Sequence, residues 1–546
     1  MNARDEIPSM KVLVVGGTGG FGSTICRLLR DDGHHVVAAG RDAAKGEDFT
    51  RNADNRGMGF TNLDRDLIDA GTLDGYDVVV DAAGPFRGQG RALARASIAA
   101  GLHHIDIADD RAFVNEVGLL DEAARRAGVA CLSGASSVPA LSTAVAMRLA
   151  RDLDETLLVE IAISASSQAA FGRSVLHSML SGAGRPVRRR DGTTGIAMAN
   201  ARPIVMETAS GLIERTVLEV DGPDHDILPK MMKGAPSVRF HAGGEFRIHN
   251  LAMRLIAAIV SRGVLTDGSS LLPLAEAARR LTASMGDGRS GMQVEVTGDV
   301  DGRRRRRTWS LIAARNMGPM VPCLVVPALV AALAKGGIEP GARPAAGLLS
   351  MDEILSRMPI GSIETRIGDV PATPVYGHMN GHGALSPEVA AMHDVPRHAM
   401  ARGVAQIERG RGVLARIVAA AFGFPPAGRD VPVTVTFEAT AQGERWTRDF
   451  GGRRFSSMLT STPTGVRERF GPFSFRFRLE ERNGGLAMVP RTWRAFGVRM
   501  PKALMPGGVA TEAAVDGRFT FDVPISVPFV GLVVHYRGWL APVVTE

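Results

Sequence analysis

Cysteine is nearly missing from this chain: 546 residues hold three, Cys26, Cys131 and Cys323, scattered without metal-type spacing. That excludes a disulfide framework and a thiolate zinc site, and it fits a reducing compartment, the cytoplasm. Neither H-x-x-E-H nor C-x-x-C occurs, and His378 and His382 in "HMNGH" enclose a glycine and no acid, so no metal site is expected. Long apolar runs are also lacking. The longest candidate, Cys323 to Ala334, is interrupted by Pro327 and falls well short of the roughly 20 residues that span a bilayer, so it reads as a buried helix. The first ten residues, "MNARDEIPSM", carry acids and a proline where a signal peptide needs a basic start and an apolar core, so export is not expected.

Composition is that of a globular chain, 45% hydrophobic and 22% charged, with length enough for two to four domains. Its net charge of +7 is uneven: from Thr365 onward 22 Lys+Arg face 15 Asp+Glu, which leaves the first 364 residues neutral. A basic carboxyl-terminal third suits acidic ligands, an anionic membrane surface or nucleic acid.

Near the amino terminus, "KVLVVGGTGGFGSTICRLLRDDGHHVVAAGRD" sets an apolar β-branched run, Val12 to Val15, ahead of glycines and then of Phe21, Ile25, Leu28 and Leu29 at helical spacing. A strand therefore turns into a helix through Gly16, Gly17, Thr18, Gly19, Gly20, Phe21 and Gly22. Gly17, Gly19 and Gly22 satisfy G-x-G-x-x-G, in which glycines permit a tight turn, close approach of a pyrophosphate and helix packing, while the helix N-terminus meets the phosphates. Arg41, 19 residues beyond Gly22, stands where an acid would bind a ribose 2′-hydroxyl; an arginine there suits the 2′-phosphate of NADP, with NAD the alternative. The G-x-x-G-x-x-G spacing of extended short-chain dehydrogenases is also present through Gly16. Their Tyr-x-x-x-Lys pair is not, because four residues beyond Tyr76, Tyr376 and Tyr536 lie Val80, Asn380 and Leu540.

Further strands follow in "GMGFTNLD", "YDVVVDAAGPF", "HHIDIADD" and "GVACLSGASSVPA", alternating with helices. This is the signature of an α/β, doubly wound parallel Rossmann sheet over residues 1–150. Its loops at Ala83 to Phe86, Asp106 to Asp110 and Ser133 to Ser137 converge where a nicotinamide would lie. Residues 151–360 read as an α+β substrate or dimerisation domain, with strands in "LLVEIAIS", "SGLIERTVLEV", "SVRFHAGGE" and around an Asp301-Gly302 turn. The arginine run Arg303 to Arg307 lies beside that turn, and strand alternation leaves at most three on one face, which favours a solvated hairpin over a specific nucleic-acid site. Residues 361–375 read as a linker. Residues 376–546 read as a β-rich domain after one or two helices, an antiparallel sheet, closed or stacked, with Phe473, Phe475, Phe477 and Leu479 on one face.

With "GGTGGFG", "DAAGPFRGQG", "HHIDIADD", "GASSVPALS", "GPMVP" and "GARPAAG" in this order, the first 350 or so residues resemble the saccharopine dehydrogenase-like reductases, which include the trans-acting enoyl reductases of lipid synthesis. The resemblance implies a phosphate loop at Gly17, Gly19 and Gly22 and a cofactor-lining turn at Ala83, Gly84 and Pro85. The sequence departs from that family at Asp81, more often asparagine, and at Ser136, more often aspartate. The remainder, with "LSPEVAAMHD", "ERWTRDFGG", "ERFGPF", "DGRFTFDV" and "HYRGWLAP", resembles an uncharacterised domain sometimes fused behind such reductases, and implies no activity.

Hydride transfer needs a proton donor or acceptor beside the nicotinamide. The candidates are Asp106, Asp109 and His104, with His103 and Asp110 nearby; Asp109 and Asp110 serve equally well as helix caps. In the carboxyl-terminal domain His393, Glu444, Arg448, His535 and Tyr536 are polar groups among apolar neighbours, suited to the acidic head of a lipid-like ligand if they meet at a barrel mouth. The function expected is an NADP-dependent oxidoreductase acting on an apolar or lipid-like carbonyl or enoyl substrate. Peripheral membrane contact and a homodimer stay open as further partners. The alternative is a non-catalytic, dinucleotide-responsive ligand-binding protein.

Overall fold

A computed structural model describes residues 8–169, 173–189, 194–301, 303–359, 361–371, 375–376, 385–393, 398–440, 443–462 and 465–543. The chain forms two compact units, Met1–Val296 with Arg307–Asp369, and Thr297–Arg306 with Val370–Glu546.

In the first unit β1 (Lys11–Val15), β2 (His35–Gly40), β3 (Gly59–Asn62), β4 (Val78–Asp81), β5 (His103–Asp106) and β6 (Ala130–Ser133) alternate with α1 (Gly20–Asp31), α2 (Ala43–Arg51), α3 (Ala92–Ala99), α4 (Arg111–Asn115) and α5 (Asp121–Ala127), and α6 (Ser142–Ala150) follows. The strands lie in the order β3-β2-β1-β4-β5-β6, all parallel. Val12 to Val14 and Val78 to Val80 are fully buried, as strands covered on both faces must be. Strand order reverses at β1, so a ligand crevice opens beyond the carboxyl ends of β1 and β4.

The chain continues through β7 (Glu155–Ala165), α7 (Arg173–Gly182), a two-stranded ribbon of β8 (Pro186–Arg188) and β9 (Thr194–Ile196), then β10 (Ala201–Thr208), β11 (Gly211–Val220), α8 (Asp224–Met231) and β12 (Ser237–Gly244). It proceeds through α9 (Arg247–Ser261), α10 (Leu272–Thr282), β13 (Ser290–Val300), β14 (Arg303–Ala313), α11 (Val325–Ala334), β15 (Gly341–Pro344), α12 (Met351–Leu355) and β16 (Ile363–Pro371). A second sheet runs β10-β11-β12-β7-β13-β14-β16.

Two expected boundaries change. Strand β15 pairs in parallel with β6, from Gly341 opposite Ala130 to Pro344 opposite Ser133, so the first sheet gains its seventh strand from between β14 and β16 of the second sheet. The expected domains 1–150 and 151–360 are therefore interleaved in one unit. Within the expected linker, 361–375, Ile363–Pro371 form β16, and Ile363 is buried; glycine and proline at its flanks disguised an edge strand.

The apolar run after Cys323 is buried as α11, and no helix among the described residues is long and apolar enough to cross a membrane. Asp301 takes a left-handed φ of 50° at the hairpin between β13 and β14; its neighbour Gly302 lies outside the described residues, as do His378 and His382. Carboxylates engage the arginines there: Arg304 pairs with Asp299 at 3.1 Å, and Arg307 with Asp152 at 2.7 Å and Asp369 at 3.4 Å.

The second unit carries α13 (Pro387–His393), β17 (His398–Arg409), α14 (Val413–Ala421), β18 (Gly428–Thr440), β19 (Gly443–Phe450), β20 (Arg453–Thr462), β21 (Gly465–Phe470) and β22 (Phe473–Arg482). It ends with β23 (Gly485–Ala495), β24 (Val498–Arg499), β25 (Ala510–Val515), β26 (Arg518–Val527) and β27 (Gly531–Pro542). The antiparallel order β22-β21-β20-β19-β18-β17-β27-β26-β25-β23 closes through a β22–β23 pairing into a ten-stranded barrel, with β24 as an appendage. Closure removes the exposed edges that a ten-stranded open sheet would present. Phe437, Trp446, Phe450, Phe455, Leu459 and Tyr536 fill its core.

Candidate dinucleotide site and cavity

Three glycines of the first loop are sterically obligatory. Gly16 has φ +78°, and a Cβ there would lie 2.9 Å from the backbone of Ala82 and Ala83. At Gly17 a Cβ would meet Ala38 Cβ at 2.7 Å and Val14 O at 2.8 Å, and at Gly22 it would sit 2.1 Å from Gly16 O. The loop is thus pressed between β2, the exit of β4 and its own helix. Hydrogen bonds fix it there: Gly16 N and Gly17 N donate to Ala39 O at 2.8 and 3.2 Å, and Gly19 N donates to Gly16 O at 2.9 Å. Helix α1 starts at Gly20, so the amides of Gly20, Phe21 and Gly22 belong to the first turn, whose N–H groups have no acceptor within the helix. This cradle, too narrow for side chains and lined by amides, fits a dinucleotide diphosphate.

The rim supplies the remaining predicted contacts. Arg41 is exposed directly after β2, beside Gly40, where an added Cβ would stand 3.4 Å from Thr18 Oγ1 of the glycine loop. Asp42 is not free for a ribose hydroxyl in this arrangement: it caps α2, accepting from Lys45 N at 3.1 Å. At the end of β4, Asp81 Oδ1 accepts from Ala83 N at 2.9 Å, and Arg65 lies 3.3 Å from Asp81 Oδ2 while also donating to Ala83 O. Burial raises the Asp81 pKa despite the opposing Arg65 charge.

Beside this loop lies a cavity of about 1240 Å³, walled by Phe21, Ala82, Gly84, Pro85 and Phe86 from the first sheet's loops, by Ile163, Ala242, Met292 and Leu311 from the second sheet, and by α7, α9 and α10. It exceeds the usual size of a small-molecule pocket and is predominantly apolar.

The three expected catalytic residues separate here. Asp109 lines the cavity with an exposed side chain, and desolvation by the surrounding wall raises its pKa. Asp106 is fully buried and does not line the cavity: Oδ1 accepts from Ala108 N at 3.0 Å, Gly134 N at 2.9 Å and Ser133 Oγ at 2.9 Å, tying the ends of β5 and β6 together. Burial outweighs these bonds and pushes its pKa up to about 6. His104 also points into the interior, 3.3 Å from Ser97 Oγ, and burial drives its pKa down to about 3, so it is a neutral core histidine. His103 Nδ1 accepts from Ala130 N at 3.0 Å, and Asp110 caps α4 through Phe113 N at 3.1 Å while pairing with Arg87 at 3.0 Å.

Sequence reasoning missed a polar cluster on the same cavity wall. Arg111 binds Asp226 at 2.5 Å and Asp221 at 2.9 Å, and Asn115 Nδ2 donates to Asp226 Oδ2 at 2.6 Å. These partners are more than a hundred residues apart, and no local pattern announces them. Nor are the thiols candidates for nucleophilic chemistry, since burial pushes Cys26 and Cys131 up to about 12 and Cys323 higher still.

In the second unit four of the five expected ligand-binding residues come together: His393 stacks on Trp446 at 5.7 Å, Glu444 accepts from its indole, Arg448 lies over its ring at 5.3 Å and Tyr536 feels the Arg448 charge, while His535 lies apart. His393, Glu444 and Tyr536 are buried in the barrel core rather than grouped at an open mouth. His393 Nε2 meets Glu512 Oε2 at 2.5 Å, Trp446 Nε1 donates to Glu444 Oε2 at 3.0 Å, and Arg448 Nη1 donates to Ser457 Oγ at 2.9 Å. His535 pairs separately with Asp522 at 2.7 Å.

Residues 12–107 match the model of the NAD dependent epimerase/dehydratase family, and residues 385–540 match a domain of unknown function, DUF4166. Comparison with curated proteins gave no match. Among solved structures, a Lactobacillus casei protein is 27% identical over 18% of this chain and 47% of its own, with a TM-score of 0.15. Salutaridine reductase from Papaver somniferum is 27% identical over 14% of this chain and 30% of its own, with a TM-score of 0.13. Gre2 from Candida albicans, solved with NADPH, is 15% identical over 20% of this chain and 38% of its own, with a TM-score of 0.16. The chain thus spans less than half the length of each. The amino-terminal region is an NAD(P)-binding Rossmann domain by its family match, its strand order and its glycine cradle. The missing Tyr-x-x-x-Lys pair therefore excludes the short-chain proton donor but not a kindred nucleotide-binding fold.

Proposed function

We propose that this chain is an NADP-dependent oxidoreductase of the saccharopine dehydrogenase-like type, reducing a carbonyl or enoyl group on an apolar or lipid-like substrate in the cytoplasm. The observation that carries this reading is the shared wall: Phe21, Gly84 and Pro85, beside the glycine cradle, also bound the large apolar cavity. When bound, the nicotinamide supplies the hydride. The residues of the chain do the rest. Gly16 to Gly22 hold the diphosphate, and Arg41 accepts a 2′-phosphate at the rim. The apolar wall excludes water and orients a hydrocarbon substrate, and Asp109, whose pKa desolvation raises, delivers the proton that balances hydride addition.

The test is NADPH oxidation by the full chain across a panel of long-chain enoyl and keto compounds, with cofactor affinity measured in parallel. Turnover that rises with substrate chain length supports the reading. Tight NADPH binding with no turnover on any member favours a dinucleotide-responsive binding protein, for which the interior positions of Asp106 and His104 already speak.

A further inference from the structure

Helices α9 and α10 are apolar on more than the side they bury. On α9, Ala252, Met253 and Ile256 face the cavity, while Ile248, Leu251, Leu255 and Ile259 recur at spacings of three, four and four and are 69%, 51%, 59% and 39% exposed. An amphipathic helix packed on a protein needs one apolar stripe, and this one has two. Val264, Leu274, Leu281 and Met285, on α10 and its flanks, are also exposed, and the end of α10 meets the start of α9 where Thr282 Oγ1 lies 3.3 Å from His249 Nε2. Eight of the 26 exposed large apolar residues among those described fall between Ile248 and Met285, a concentration that scattered surface residues do not produce. Leu274 is 68% exposed and also lines the cavity, so on α10 an outer apolar side chain is at the same time part of the inner wall. Between Arg247 and Met285 the chain carries five arginines against Asp267 and Glu276; on α9 and at its end, Arg247, Arg254 and Arg262 flank the exposed stripe by helical spacing, and Arg280 is exposed on α10.

We propose that α9 and α10 form a docking surface for an anionic lipid bilayer. The outer leucines and isoleucines sink below the headgroups, the arginines sit among lipid phosphates, and the cavity mouth at Leu274 opens toward the acyl layer. Charge decides against a second copy of the chain as the occupant: a two-fold contact would set the same arginine-rich fringe against itself, whereas phosphate headgroups complement it. The surface stands on its exposed side chains; its use as a substrate entrance rests on the reductase reading.

The test is sedimentation of the full chain with vesicles of phosphatidylcholine alone or mixed with phosphatidylglycerol. Wild type should bind the anionic vesicles and bind the neutral ones weakly. Leu251→Ser combined with Leu255→Ser should lower partitioning roughly a hundredfold, and Arg247→Glu with Arg280→Glu should remove the preference for anionic lipid. Unchanged NADPH affinity in both variants shows that the unit is still folded. The proposal is overturned if wild type ignores anionic vesicles, if both variants bind like wild type, or if ultracentrifugation finds a dimer that the leucine variant dissociates without any lipid binding. Vesicle binding without turnover on any lipid substrate leaves this surface standing and removes the reductase; turnover without vesicle binding does the reverse.

Discussion

Gly22→Ala separates a dinucleotide cradle from a merely glycine-rich turn. A Cβ at Gly22 would stand 2.1 Å from Gly16 O, about 1.3 Å inside an ordinary carbon–oxygen contact, so α1 and the loop must move apart. Neither can yield alone, because Gly16 N and Gly17 N are anchored to Ala39 O and Gly16 itself abuts Ala82 and Ala83. Overpacking of this kind costs about 1–3 kcal/mol. Alanine's better helix propensity returns up to about 1 kcal/mol. If the strain is relieved by opening the loop, the residual of about 1–2 kcal/mol appears as weaker binding, and NADPH affinity should fall by roughly one decade. The assay is NADPH fluorescence titration, with Gly118→Ala as control: Gly118 has open space at its Cβ and no left-handed φ, so its affinity should match wild type. Equal affinities for all three proteins would refute the steric argument and the placement of the diphosphate at this loop.

Other residues give sharper chemical outcomes. Arg41→Asp should move cofactor preference from NADPH toward NADH by at least roughly tenfold, measured as the ratio of dissociation constants; an unchanged ratio would show that Arg41 does not read the 2′-phosphate. Asp109→Asn should remove the alkaline fall in kcat/KM that deprotonation of a donor with a raised pKa produces, while leaving NADPH affinity intact; a persisting limb would point to another proton source. Asp224 is completely buried, accepts from Ser142 Oγ at 2.6 Å, and has its pKa pushed up to about 7. Its folded-state pKa is raised, so its support for the fold is full below about pH 4 and lost as pH climbs toward 7, about 4 kcal/mol in all. Asp224→Asn should therefore gain on wild type by about 2–3 kcal/mol between pH 5 and pH 8 in urea unfolding, and parallel pH slopes would contradict it.

How far the sequence reveals these features depends on the range of the interactions that create them. The parallel sheet is legible because each strand–helix step is local: Val12 to Val15 and Phe21 to Leu29 state their own periods. The join of β15 to β6 links Gly341 with Ala130 and has no local mark, so the interleaving of the first unit stays hidden. In the barrel, β18, β19, β22, β26 and β27 announce themselves by alternation. Strands β17, β20 and β23 do not, since Gly403, serines and Pro490 interrupt theirs, and β21 and β25 are six residues each with too few large apolar side chains to show a period. Within the site the glycines can be assigned by spacing, while Asp106, Asp109 and Asp110 cannot: one clamps strand ends, one faces a cavity and one caps a helix. That division follows from which way each side chain leaves the loop after β5, a property of tertiary geometry.

The barrel poses the same problem for Arg448, which by sequence suits the acidic head of a ligand. In the structure it lies over the rings of Trp446 and Phe455, 5.3 and 5.7 Å from their centroids, bonded to Ser457 and 3.4 Å from the buried carboxylate of Glu468. A residue so engaged holds the fold. Removing one member of a buried pair leaves the other charge uncompensated, at a cost of about 3–5 kcal/mol, whereas replacing both by apolar or neutral groups of similar volume is often close to neutral. Arg448→Met should accordingly destabilise the barrel by that amount, and adding Glu468→Gln should recover most of the loss. Three of the four tryptophans, Trp446, Trp493 and Trp539, lie on barrel strands, so intrinsic fluorescence during urea unfolding reports this unit. If the single variant unfolds like wild type, Arg448 is held for something other than stability. If the double variant is no better than the single, Glu468 is not its structural partner.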